Sequence, residues 1–159
     1  MRTIFVALIL GLIGATGAVL ATHAAEVPYK DDRSSAVAVV NSFYNAINLG
    51  QYARAYGYFG KGPQAYPDFK AGYAKTKSVK LLTGKAQAEG AAGSVYYSLP
   101  VAIDAVDTAG KHSQFAGCYQ VRLVQPGIQE PPFNPLHIET ASLKPAKGKL
   151  EAILPKTCR

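Results

Sequence analysis

The chain has 159 residues, 48% of them hydrophobic and 17% charged, which excludes a solvated disordered segment and suits one domain with its own core. Its 17 Lys+Arg against 10 Asp+Glu give a formal net charge of +7, a balance that raises nucleic acid as a partner until compartment is considered. Three histidines and two cysteines, without ligand spacing, argue against a metal site, and no phosphate-cradling glycine motif or nucleophile elbow calls for a cofactor.

Met1 and Arg2 supply a positive start, Ile4 to Ile13 is densely apolar, and Gly14 to Ala21 fades into smaller side chains. Thr22-His23-Ala24 then places small residues where a signal peptidase reads, just before the charge of Glu26. The expectation is a secretory signal peptide over residues 1–24, cleaved near Ala24, and a periplasmic or secreted protein that meets the membrane only transiently. Retention as an anchor is the rival, because a bilayer span needs about 20 apolar residues and Thr3 to Ala25 is uncharged with His23 neutral. The Gly/Ala/Thr-rich second half favours cleavage. Export removes nucleic acid as the expected partner and leaves an envelope component, a small molecule, or simply a solvated basic face. The densest basic group is Lys70, Lys75, Lys77, Lys80 and Lys85, and a smaller one is Lys144, Lys147 and Lys149.

Residues 25–33 read as an extended leader, and residues 34–159 as a single domain. Asp32, Ser34 or Ser35 can cap a helix in which Ala36, Val37, Val40, Phe43, Tyr44 and Ile47 recur at three- and four-residue steps. Gly50 ends it as a left-handed cap. A second helix is expected over about Gln51 to Phe59, and Pro67 opens a third through Phe69 and Tyr73.

From Ser78 the period falls to two. Val95, Tyr97, Leu99, Val101 and Ile103 share one face of a strand, and Pro100 on the other suggests an edge or a bulge. Asp107 to Gly110 is turn chemistry, and Phe115, Gly117, Tyr119, Val121 and Leu123 share a face of the returning strand. Pro126 to Pro135 is an irregular loop, about Leu136 to Leu143 another strand, and Leu150 to Leu154 a short edge strand. Helices segregated ahead of hairpin-joined strands predict an α+β fold, N-terminal helices packed against a curved antiparallel sheet. In an oxidising compartment the even pair Cys118 and Cys158 predicts one disulfide tying down the C-terminal tail, worth about 4 kcal/mol in the chain-entropy model.

Ala36 to Tyr56, AVAVVNSFYNAINLGQYARAY, resembles the opening of nuclear-transport-factor-2-like domains: a helix containing FY-x-A-I, a Gly-led turn, and a helix beginning Y-x-x-A-Y. Phe115 to Val124 and His137 to Leu143 look like the two long central strands of that cone-shaped fold. The resemblance implies a sheet wrapped around a long helix, with a pocket at the wide end of the cone. Its members include isomerases, dehydratases, hydrolases, polyketide cyclases and pocketed proteins with no known reaction, so the fold does not decide the function. Enzymatic members place Asp, His or Tyr in the pocket; no position here matches such a catalytic motif.

The catalytic candidates are His137, Glu139 and Asp104. His137 and Glu139 alternate with Leu136 and Ile138 and therefore share a face. Inside a pocket His137 would be a general base oriented by Glu139, with Asp104 an alternative acid; facing solvent they are ordinary surface residues. The expectation is the solvent-facing arrangement, with no His137–Glu139 dyad. Ten tyrosines without a tryptophan are more suggestive, because a buried hydroxyl needs a partner and such residues line partly polar cavities. The pocket set drawn from them is Tyr44, Tyr56, Tyr73, Tyr97 and Tyr119, although helical spacing also explains Tyr44 and Tyr56 as core. The leading expectation is a non-enzymatic domain that binds a small ligand or an envelope partner, with the sheet as a surface for a homodimer. The alternative is a small isomerase, cyclase or hydrolase using a pocket His–carboxylate pair.

Overall fold

A computed structural model describes residues 27–158; the signal-peptide expectation falls outside them. The first helix, α1 (Ala36–Asn48), starts at Ser35, whose hydroxyl accepts the Ala38 N–H at 3.1 Å. Its apolar stripe is wholly buried at Val39, Val40, Phe43 and Ala46. Gly50 follows with φ +65°, a conformation that costs a residue without Cβ little, and the Gly50 and Gln51 amides close the last turn onto Ile47 and Ala46.

The leader is extended but not a free arm. Lys30 and Asp32 donate backbone N–H groups to Asn45 and Ser42 on α1, and the Asn45 amide donates to the Pro28 carbonyl. Arg54 donates to the Lys30 carbonyl at 2.6 Å, and Tyr58 donates to Asp31 at 2.6 Å. These bonds explain why Ser42, a polar residue, is fully buried on α1.

α2 (Tyr52–Tyr56) is shorter than the periodicity predicts. After Gly57 the chain leaves the helix to run beside the sheet, where Tyr58 and Gly60 exchange backbone hydrogen bonds with Ile138 at 2.8 and 3.1 Å. α3 (Tyr66–Tyr73) has Pro67 in its first turn and buries Phe69.

Five antiparallel strands form the sheet: β1 (Thr76–Thr83), β2 (Gln87–Ala91), β3 (Ser94–Asp107), β4 (His112–Val124) and β5 (Leu136–Ala146). Their order is β1-β3-β4-β5, with β2 pairing the other half of the β3 edge. The architecture is α+β, with the N-terminal helices against one face of a curved antiparallel sheet. Pro100 is at neither an edge nor a bulge: β3 pairs on both sides. The Pro100 carbonyl accepts from Gly84 at 2.8 Å, so its missing N–H points to that same flank, where the partner strand breaks between Thr83 and Gln87.

One register shift interrupts the β4–β5 ladder. Val121 pairs Ile138 and Gln120 pairs Thr140, so Glu139 is the extra residue of a bulge in β5. The core lies between α1 and the inward face, where Leu99, Val101, Val121 and Ile138 are fully buried. Across the opposite face, Cys118 is disulfide-bonded to Cys158, closing a separation of 40 residues. The expected edge strand near the C-terminus is instead a helical turn, α4 (Leu150–Ile153). Only Leu150 in it is buried, and one anchor residue in so short a segment carries no period to tell strand from helix.

Candidate functional site

The inward faces of β3, β4 and β5 continue beyond the helical core and enclose, with α3 and the start of β1, a cavity of about 660 Å³. Such a volume is ordinary for a small-molecule site, for which roughly 300–1,000 Å³ is usual. Its walls are apolar: Phe69 from α3, Val79 from β1, Ile103 and Ala105 from β3, Phe115 from β4, Leu143 from β5. The period of two that makes each strand amphipathic delivers alternate side chains to this one space.

Tyr44 from α1 and Tyr119 from β4 supply its polar floor, their hydroxyls 2.7 Å apart. Both side chains are buried, and Phe43 packs edge-on or tilted against both rings. Burial pushes both phenols well above the ordinary tyrosine range, and it raises Tyr73 at the cavity wall as well. The hydroxyl pair has two hydrogens and spends one on its mutual bond. The other is available to an acceptor brought into the cavity.

Of the five tyrosines expected in a pocket, Tyr44, Tyr73 and Tyr119 line this cavity, and Tyr56 and Tyr97 do not. Tyr56 stacks edge-on against Tyr66 and Phe69 and donates to the Gln64 carbonyl at 2.9 Å. Tyr97 points inward nearer the far end of β3, where it packs against the core. Spacing on a helix or strand finds the face but not the distance along it.

The expectation that His137 and Glu139 form no dyad is overturned. His137 Nε2 lies 3.1 Å from Glu139 Oε2, and its Nδ1 lies 2.8 Å from the Asn134 carbonyl oxygen. Arg122 stands 3.9 Å from the other carboxylate oxygen. Nor does His137 face solvent, since its side chain is only 7% exposed. Two residues apart on one strand, the side chains are close enough to bond, and the bulge at Glu139 lets that residue border the cavity as well while its carboxylate still meets the ring. His137 itself pairs with Arg122, on the face of the sheet away from α1, and it is not among the residues lining the cavity, although Glu139 is. Gly60 closes over the ring so tightly that a Cβ there would collide with it. Both ring nitrogens are engaged and covered, which suits a clamp between β5 and the Tyr58–Gly60 segment better than proton transfer to a substrate.

Asp104 also points away from the cavity, and its carboxylate binds His112 Nδ1 at 2.9 Å in an exposed pair. Among the described residues no group of three His, Cys, Asp or Glu gathers as a metal site.

The chain matches no family model and no curated protein. Its function therefore rests on the chemistry of the site. Sequence reasoning passed over two residues at the cavity mouth, Lys75 and Lys111. Lys75 belongs to the basic group noted in the sequence, but nothing in one dimension brings it beside the β3–β4 turn. A single backbone hydrogen bond does so, from the Thr108 amide to the Lys75 carbonyl at 2.9 Å.

Proposed function

We propose that this is an exported domain of the nuclear-transport-factor-2-like kind that binds a small, largely apolar molecule in its cavity and catalyses no reaction on it. The observation that carries this reading is the pairing of about 660 Å³ of apolar-walled space with an unspent hydroxyl hydrogen on the Tyr44–Tyr119 floor. An apolar body gains from leaving water, and one acceptor on the ligand sets its orientation. The Cys118–Cys158 disulfide supports an oxidising compartment, and with the leader of residues 1–24 it supports periplasmic or secreted placement. N-terminal sequencing of the exported protein should start at Ala25 or Glu26; an intact Met1 start in a membrane fraction would overturn that part.

Binding is tested by a thermal-shift screen of small amphiphiles, glycans and envelope lipids against the wild type and Ala141→Phe. Ala141 is an exposed residue at the cavity wall, so a larger side chain there fills the space without entering the core. Ligands that raise the melting temperature of the wild type but not of the variant support the reading, and no hit in any class refutes it. An envelope protein bound at the cone's open end, or a second copy along the exposed half of β5, would appear as a stable complex in sedimentation instead.

The enzymatic alternative has one observation in its favour: Glu139 lines the cavity and is held by His137 and Arg122. A small isomerase, cyclase or hydrolase would use that carboxylate as its base, with His137 positioning it. Turnover of a bound ligand, abolished in Glu139→Gln with binding retained, would establish it over the binding domain.

A further inference from the structure

We propose that the cavity selects single-chain amphiphiles carrying a negative head group, the apolar body inside and the head between Lys75 and Lys111. This rests on the proposed binding function and adds the charge of the ligand to it.

Four charged residues line the cavity: Lys75, Asp107, Lys111 and Glu139. Formally they cancel, but their partners do not leave them equal. Asp107 Oδ1 accepts the backbone N–H groups of Ala109 and Lys111, each at 2.9 Å, and so is occupied in closing its own turn. Glu139 is held on its two oxygens by His137 at 3.1 Å and Arg122 at 3.9 Å. Among the described residues neither Lys75 nor Lys111 has a carboxylate oxygen within 4.0 Å of its ammonium. The mouth therefore presents two ammonium groups with no ion-pair partner of their own, while both carboxylates keep their charge but are turned to donors within the protein.

The two lysines are also fixed relative to each other at the backbone. Thr108 donates to the Lys75 carbonyl at 2.9 Å, and Asp107 donates to the Lys111 carbonyl at 3.0 Å. Lys75 precedes β1 and Lys111 precedes β4, so the β3–β4 turn joins them across one seam at the cavity entrance. Beyond that seam the walls turn apolar. A negative head at the seam keeps its hydration and gains two cations, and the chain behind it is withdrawn from water. A cationic head meets two like charges there, and a neutral one gains nothing from them. Each exposed lysine contributes modestly, so their joint effect on affinity is about tenfold at low salt.

Calorimetric titration of the exported protein with decanoate, decanol and decyltrimethylammonium tests this, at low and high salt. Decanoate should bind about tenfold more tightly than decanol, with the cation weakest, and added salt should weaken decanoate alone. Lys75→Gln combined with Lys111→Gln should bring decanoate down to the level of decanol and leave decanol unchanged; both lysines are exposed, so folding is retained. Equal binding of all three amphiphiles would overturn the charge selection while leaving the cavity reading intact. Binding to phosphatidylglycerol vesicles with no binding of any free amphiphile would overturn it in favour of a membrane surface. Failure of every probe, in the wild type as in Ala141→Phe, would overturn both readings.

Discussion

The Tyr44–Tyr119 pair on the inner face of the sheet and the buried His137 on its outer face differ in what they leave unspent. On the inner face Tyr44 and Tyr119 satisfy each other at 2.7 Å and keep one hydroxyl hydrogen beside open space. On the outer face His137 commits one ring nitrogen to the Asn134 carbonyl and the other to Glu139, under the cover of Gly60. By residue type the second cluster looks more like a catalytic site. By hydrogen-bond accounting the first keeps a donor beside open space, whereas both nitrogens of His137 are already engaged. Burial and a titratable side chain do not make a site without unspent capacity next to room for a molecule.

The contrast can be broken most severely at Phe43, which is fully buried and packs against Tyr44, Tyr119 and Phe69. Phe43→Ala should cost about 3–5 kcal/mol in chemical denaturation and enlarge the cavity side alone. A loss below about 1 kcal/mol would mean that the helix–sheet core does not hold the tyrosine floor in place.

On the outer face, replacing Cys118 and Cys158 by Ser should cost about 2–4 kcal/mol, read from the same unfolding curves with and without reductant. Ligand affinity should not change, because the bridge lies across the sheet from the cavity. Gly60→Ala sharpens the comparison further, since its Cβ would displace the His137 ring. A destabilisation of about 1–3 kcal/mol with unchanged ligand binding is expected. A large loss of binding instead would tie the His137–Glu139 pair to the cavity and revive the enzymatic alternative.

The smallest effect concerns the tyrosine pair itself. Tyr119→Phe should cost about 1 kcal/mol at neutral pH. The Tyr119 phenol is raised by burial above its ordinary value of 10.0, so the unfolded chain loses this proton first as pH rises. Stability contributed by the protonated phenol is thus complete below pH about 10 and falls above it. Tyr119→Phe should flatten that alkaline loss. Ultraviolet titration should show Tyr44 and Tyr119 ionising only as the fold is lost, and early ionisation of all phenols would contradict their burial.

Much of the fold was legible because it is written in local chemistry. The stripe through Val40, Phe43 and Ile47 has a helical period, Gly50 a positive φ, and Val101 with Ile103 a strand's alternation. Burying those faces leaves few arrangements other than helices on an antiparallel sheet. The Cys118–Cys158 bridge follows from an even cysteine count, and the inward faces of helix and strand put Tyr44, Tyr73 and Tyr119 beside the cavity. β2, exposed along its whole length, and the single turn of α4 carry too little pattern to be read.

The character of each polar cluster was decided elsewhere. The bulge at Glu139 brings that residue to the cavity edge while it still bonds His137, and neither propensity nor alternation marks where a ladder will slip. The departure of Tyr58–Gly60 from α2 to pair with Ile138 is what covers that ring. Lys75 and Lys111 meet at the cavity mouth only because the β3–β4 turn folds back onto the start of β1. The sequence by itself determined which side chains turn inward, since that depends on neighbours a few residues away. Tertiary structure alone decided which inward groups share a space and which of their hydrogen bonds are already made, because both depend on segments far apart in the chain.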